Sequence, residues 1–261
     1  MEPAGKFAAR VHVLLARDAS VGVALRRGPS KRVCTVLWNR RKDEFRVGQW
    51  LNGRIYERRC DLSPDGKYLI YFAMNGRWQS EAKGSWTAIS KAPYLKAVAM
   101  FPKGDCWNGG GLFTDNTKYW LNDGCGHAEL RNTSEVHRDK KFQPSQYFGG
   151  ECLSVYYPRL MRDGWTYLGR QKVSNRSNID VFEKPLREGW FLRKLAHAGK
   201  RSASRQRRLL GPTRIVPSCI RHTDQIPGMG VGRTRPQPPR LVDGGKALRR
   251  TPQTKRHLRR T

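Results

Sequence analysis

After Phe191 this 261-residue chain has no aromatic residue, and from Arg193 to Thr261 only Asp224 and Asp243 stand against 19 Lys or Arg. A segment with so little apolar surface and so much like charge cannot offset its own ordering entropy. Residues 193–261 therefore read as a basic low-complexity tail, either disordered or an off-frame gene end, with a small folded basic module as a third reading. Paired cysteines are also missing. Cys34, Cys60, Cys106, Cys125, Cys152 and Cys219 are too sparse for a disulfide scaffold, which makes a reducing, cytoplasmic location the expectation. No run approaches the roughly 18 apolar residues of a spanning helix, so no membrane partner is expected. Lys6 and Arg10 do precede Val11–Ala16, but that run stops at Arg17-Asp18, too soon for a clear secretion signal. Before Leu192 no stretch of helical period reaches a dozen residues, and no Gly-x-Ser-x-Gly elbow or Walker loop occurs.

What is present, over residues 8–192, is short strands. Val21–Leu25, Arg32–Trp38, Phe45–Trp50, Tyr68–Phe72, Ser85–Ile89, Tyr94–Phe101, Lys118–Leu121, Cys152–Tyr157, Trp165–Leu168 and Ile179–Phe182 are rich in β-branched and aromatic residues. Turn formers separate them, and Asn52-Gly53 is the strongest short hairpin signal. A longer period lies above these runs. Asp18, Asp65, Asp115 and Asp163 each precede an apolar strand, at spacings of 47, 50 and 48 residues. Each is expected to sit in a turn and accept backbone N–H groups, as is Asp61. A second strand follows, at Trp38, Trp86 and Val181-Phe182, and is poorest in the third unit around His127–Leu130. Four multi-stranded units of this length suit the blades of a propeller better than a sandwich.

The stretch Asp61-Leu-Ser-Pro-Asp-Gly-Lys-Tyr-Leu-Ile-Tyr-Phe72 resembles the repeat of TolB-type and WD-type β-propellers, where such a turn precedes an inner strand. Gly48–Phe72 with Gly84–Leu95 also resembles a set of bacterial proteins without assigned function. The resemblance implies an all-β, partial or small propeller-like array of about four repeats, with no active site carried over.

Each candidate site also has a plainer reading. Cys125-Gly-His127 with Cys106 and Cys152 could supply four zinc ligands, but the closely spaced cysteine pairs of structural zinc sites are absent. Cys106 and Cys152 read instead as small buried residues in strands, and no metal or cofactor is expected. Asn108-Gly-Gly-Gly111 reads as a bend between strands. Basic clusters at Arg40-Arg-Lys42, Arg58-Arg59 and Arg138–Lys141, and in the tail Arg205, Arg207, Arg208, Arg249, Arg250, Arg259 and Arg260, could contact polyanions. The formal charge of +30 supports that, but a tail without aromatics could not select a base sequence. The expectation is a non-enzymatic binding or scaffold protein, holding an unknown protein or small ligand at the loops between strands. The alternative is a non-specific nucleic-acid-binding protein acting through its cationic surface.

Overall fold

Apolar residues alternate along Arg10–Leu15 (β1), Val21–Arg27 (β2), Arg32–Asn39 (β3) and Glu44–Asn52 (β4), and these four strands form an antiparallel meander in chain order. The computed structural model describes residues 9–124, 126–149, 151–174, 177–198 and 213–217. All of these fall in the first of two compact units, Met1–Ile220. The second sheet is built from Arg54–Ile55 (β5), Asp61–Leu62 (β6), Tyr68–Met74 (β7), Ser85–Lys91 (β8) and Ala97–Pro102 (β9). In the third, Gly111–Phe113 (β10) pairs with Lys118–Leu121 (β11), and the short His137–Arg138 (β12) runs parallel to β11. One helix, Leu153–Arg162 (α1), leads into the fourth sheet: Thr166–Ser174 (β13), Ser177–Pro185 (β14), Trp190–Ala198 (β15) and Thr213–Pro217 (β16).

The all-β reading therefore holds apart from one helix. The sheets stack by their apolar faces. Leu14, Val23, Leu25 and Val33 of the first sheet pack on Ile55, Leu69, Tyr71 and Ala88 of the second. The opposite face of the second sheet, with Ile70, Ile89 and Phe101, packs on Phe113, Tyr119 and Leu121 of the third. Both faces of the second sheet are thus covered, which is why every residue of β7 from Leu69 to Ala73 is buried. Fully burying each large side chain contributes about 1.5–3 kcal/mol. The fourth sheet packs on α1 through Tyr157, Leu160 and Phe182.

The long period is visible in this stacking. Asp65 sits in a turn, where its Oδ1 accepts the Lys67 amide and the Ser63 hydroxyl. The Asp18 amide donates to the Pro64 carbonyl at 2.9 Å, and the Asp65 amide donates to Asn116 Oδ1 at 2.9 Å. The turns of the first three units thus lie side by side. The strands they lead into, β2, β7 and β11, are each second in their sheet, whereas the strand after Asp163, β13, is an edge strand. Among the described residues no strand of the fourth sheet pairs with the first, and the sheets form no closed ring.

Several expectations are corrected. Cys152–Tyr157 is not a strand: α1 begins at Leu153, and Asp163 ends it, its amide donating to the Arg159 carbonyl. The helix buries Val155, Tyr156, Tyr157 and Leu160, the last three in a cluster with Phe182 of the fourth sheet, and that packing overrides the low helix propensity of Val, Tyr and Pro158. Asn52-Gly53 is not a hairpin turn. The Gly53 amide donates to the Lys31 carbonyl, and the chain passes from β4 in one sheet to β5 in the next. Asp61 lies in β6 and not in a turn. Trp190–Ala198 carries strand structure past residue 192, with β16 paired to β15.

Candidate functional site

The outer face of the first sheet has no layer over it among the described residues. Strand alternation that buries Leu14 turns Val11, Val13 and Leu15 outward on β1, and the register continues that face through Ala24, Val36 and Trp38 to Phe45, Val47 and Trp50 on β4. Val11 is 64% exposed, Phe45 63%, Val47 64% and Trp50 53%. Trp38 and Phe45 stack with ring centres 5.7 Å apart, and Arg26 lies 5.8 Å over the Trp50 ring. The aromatics are therefore held in place by neighbours and not loose. Arg17, Arg26, Arg41 and Lys42 are exposed around this face. Isolated monomers seldom leave a contiguous apolar face with a polar rim in water.

A second feature is a cleft of about 360 Å³, lined by loop residues after β11 and β12 and by the start of α1. Asp123 dominates its electrostatics: Oδ1 lies 2.6 Å from His127 Nδ1 and Oδ2 accepts Arg138 Nη2 at 2.8 Å. Burial lowers the His127 pKa against the opposing pull of Asp123, which leaves a neutral ring with its proton on Nδ1. The other ring nitrogen, Nε2, is buried and has no hydrogen-bond partner. The ring is not part of the cleft lining. Ser154 is equally committed, donating to the Glu151 carbonyl at 2.6 Å and accepting Asn122 Nδ2 at 2.8 Å. Around them Trp120, Gln143, Gln146 and Tyr147 offer aromatic and amide contacts to a small polar ligand. The arrangement can bind, but it lacks an activated nucleophile.

The charged residues singled out by sequence do not converge. Arg41 and Lys42 lie in the β3–β4 turn, where their amides donate to Asn39 Oδ1. Arg59 is 2% exposed, its guanidinium donating to the carbonyls of Cys106 and Asn108. Arg138 pairs with Asp123. Arg205, Arg207, Arg208, Arg249, Arg250, Arg259 and Arg260 lie outside the described residues. The Asn108–Gly111 loop is a bend, as expected: at Gly110 (φ +77°) a Cβ would meet the Arg59 carbonyl oxygen, and the Gly110 amide donates to Thr87 Oγ1. Cys106 is exposed and Cys152 half-buried at the start of α1, which corrects their placement in strands. Among the described residues no three His, Cys, Asp or Glu side chains form a group that could hold a metal ion.

Asp61 is the residue whose role sequence reasoning missed. Its carboxylate accepts the Phe113 amide at 2.8 Å and both terminal nitrogens of Arg162, tying β6 to β10 and α1. Burial opposes the charge of Arg162, but Asp61 and Asp163 outweigh it and push its pKa up. No known family, curated protein or solved structure matches the chain. The functional reading therefore rests on geometry.

Proposed function

We propose that this chain is a non-enzymatic scaffold protein built as a propeller-like array, whose partner supplies the layer that the first sheet lacks. The observation that carries this reading is the ordered apolar face of Val11, Val13, Leu15, Phe45, Val47 and Trp50. Three supports go with it: the face-to-face stacking of the first three sheets, their side-by-side turns, and catalytic-type groups in the cleft that are already engaged. The exposed arginines and Lys42 on the rim suit a partner with acidic residues flanking an apolar strand or helix. A cytoplasmic setting belongs to the same proposal, supported by four unpaired thiols at Cys34, Cys60, Cys106 and Cys152. Among the described residues no helix is long and apolar enough to cross a membrane.

The test places a photo-crosslinking residue at Val47 of the full chain in its native cell. A discrete adduct that disappears with Val13→Lys or Trp50→Lys is expected. Absence of an adduct, with both variants indistinguishable from the parent in solubility and hydrophobic-dye binding, overturns the reading. The second reading, non-specific nucleic-acid binding, is favoured by the formal charge of +30.

A further inference from the structure

Three backbone segments of the first two sheets meet at one place: the turn between β2 and β3 (residues 28–31), the passage from β4 to β5 at Gly53, and the loop after β7 at Asn75-Gly76. Backbone contacts fix them to one another. The Gly53 amide donates to the Lys31 carbonyl at 2.7 Å, and Arg54 stands in register with Met74. A Cβ at Gly53 would come within 2.7 Å of the Met74 carbonyl oxygen, so glycine is what lets the two segments approach this closely.

Between these segments lies a cleft of about 670 Å³. Among the described residues that line it, Arg27, Lys31, Arg32, Arg54 and Arg77 are cations and none is a carboxylate. Arg27 pairs with Glu57 at 3.1 Å. Arg54 lies 4.3 Å over the Tyr56 ring, which orients its guanidinium but does not neutralise it. Among the described residues the side chains of Lys31, Arg32, Arg54 and Arg77 have no hydrogen bond and no ion pair. All four are exposed, so the core does not require them there. Four like charges around one cleft repel one another, and they make its field strongly positive.

We propose that this cleft holds the phosphate backbone of a nucleic acid, an inference that rests on the second reading of function and gives it a seat outside the tail. Arginine forks meet phosphate oxygens two at a time, and the lysine ammonium adds a compact charge. One phosphate cannot compensate four cations set on three segments, whereas a chain of phosphates can. The formal charge of +30 on the same protein favours such a dense polyanion over scattered acidic side chains. No aromatic residue lines the cleft, and Arg54 and Arg59 already lie over Tyr56. Bases therefore find no ring to stack on, and the contact is indifferent to sequence.

The experiment titrates a DNA duplex against full-chain variants of equal net charge between roughly 50 and 200 mM salt. The cleft variant carries Lys31→Ser, Arg32→Ser and Arg77→Ser. The control carries Arg40→Ser, Arg41→Ser and Lys42→Ser, about 25 Å away at the other end of β3 by strand rise. The cleft variant is expected to lower the slope of log affinity against log salt by up to about 2.7, three contacts at about 0.9 each, and the control by less than one contact. Should the triple variant not fold, Arg77→Glu alone is expected to lower the slope by about 0.9 or more. Equal slopes for the cleft variant and the control, a parental slope in the cleft variant, or displacement of the duplex by polyglutamate as readily as by a second duplex would each overturn the cleft assignment while nucleic-acid binding itself stands. A parent that binds no duplex overturns both.

Discussion

Removing the Asp61 carboxylate strands more than one partner, because Arg162 is left charged inside the protein and the Phe113 amide loses its acceptor. The Arg162 and Asp61 side chains are 12% and 4% exposed, so water cannot readily replace the lost contacts. Asp61→Ala is expected to cost about 3–5 kcal/mol in urea unfolding, the range for breaking a buried ion pair. Adding Arg162→Met should recover part of that loss. His12 gives a second test at this scale, by pH. Unfolded, its imidazole takes up a proton near 6.5; folded, among Arg58, Arg159 and Lys194, it does so only near about 3. The unfolded state therefore binds more protons between those values, so His12 makes stability fall as pH drops through that window and leaves it flat above. His12→Phe should flatten the slope between roughly pH 4 and 6, read from unfolding free energies across the range.

At the scale of elements, the second sheet differs from the first in having both faces covered. Ile70, fully buried between the second and third sheets, is expected to cost about 2–5 kcal/mol on truncation to Ala. Val47→Ala on the open face should stay within about 0.5 kcal/mol, as exposed sites do. Chemical denaturation of the two variants checks both figures. The strands around Asp65 were legible because local chemistry and tertiary role agree there: a Pro-Asp-Gly turn feeds an alternating run that is buried on both sides. The helix was not. Leu153-Ser-Val-Tyr-Tyr-Pro158 carries strand-favouring residues and a proline, and its burial against the fourth sheet makes it helical. Asn52-Gly53 misled for a related reason, since a dipeptide suited to a tight turn also suits an abrupt change of sheet. Nothing local could have announced that Arg58, Arg159 and Lys194 meet over the Tyr156 ring, since long-range packing alone brings them there.

For the whole molecule the dominant quantity is charge. A formal +30 should draw polyanions by releasing their counterions, with the tail arginines contributing. Replacing Arg249, Arg250, Arg259 and Arg260 by Ser is expected to reduce the slope of log affinity against log salt by up to about 3.6, since each phosphate contact contributes about 0.9. DNA-binding titrations between roughly 50 and 200 mM salt measure it, and an unchanged slope places the contacts on other residues. The two proposed modes of binding would respond differently to salt: an apolar interface selects by shape and holds at high salt, whereas charge attraction is indifferent to sequence and fades with it.

Among the described residues each sheet is assembled from strands that are close neighbours in sequence, and the first three stack in chain order. A nascent chain can therefore complete its first meander while the next is still being synthesised, then add layers in order of emergence, with little loop-closure entropy at any step. Contacts from α1 break this sequence: Arg162 reaches Asp61 across 101 residues, and Arg159 reaches the Cys60 carbonyl across 99. Until α1 has emerged, Asp61 waits with its charge uncompensated, so the ribosome-bound chain holds three stacked layers whose last clasp closes only after the helix arrives.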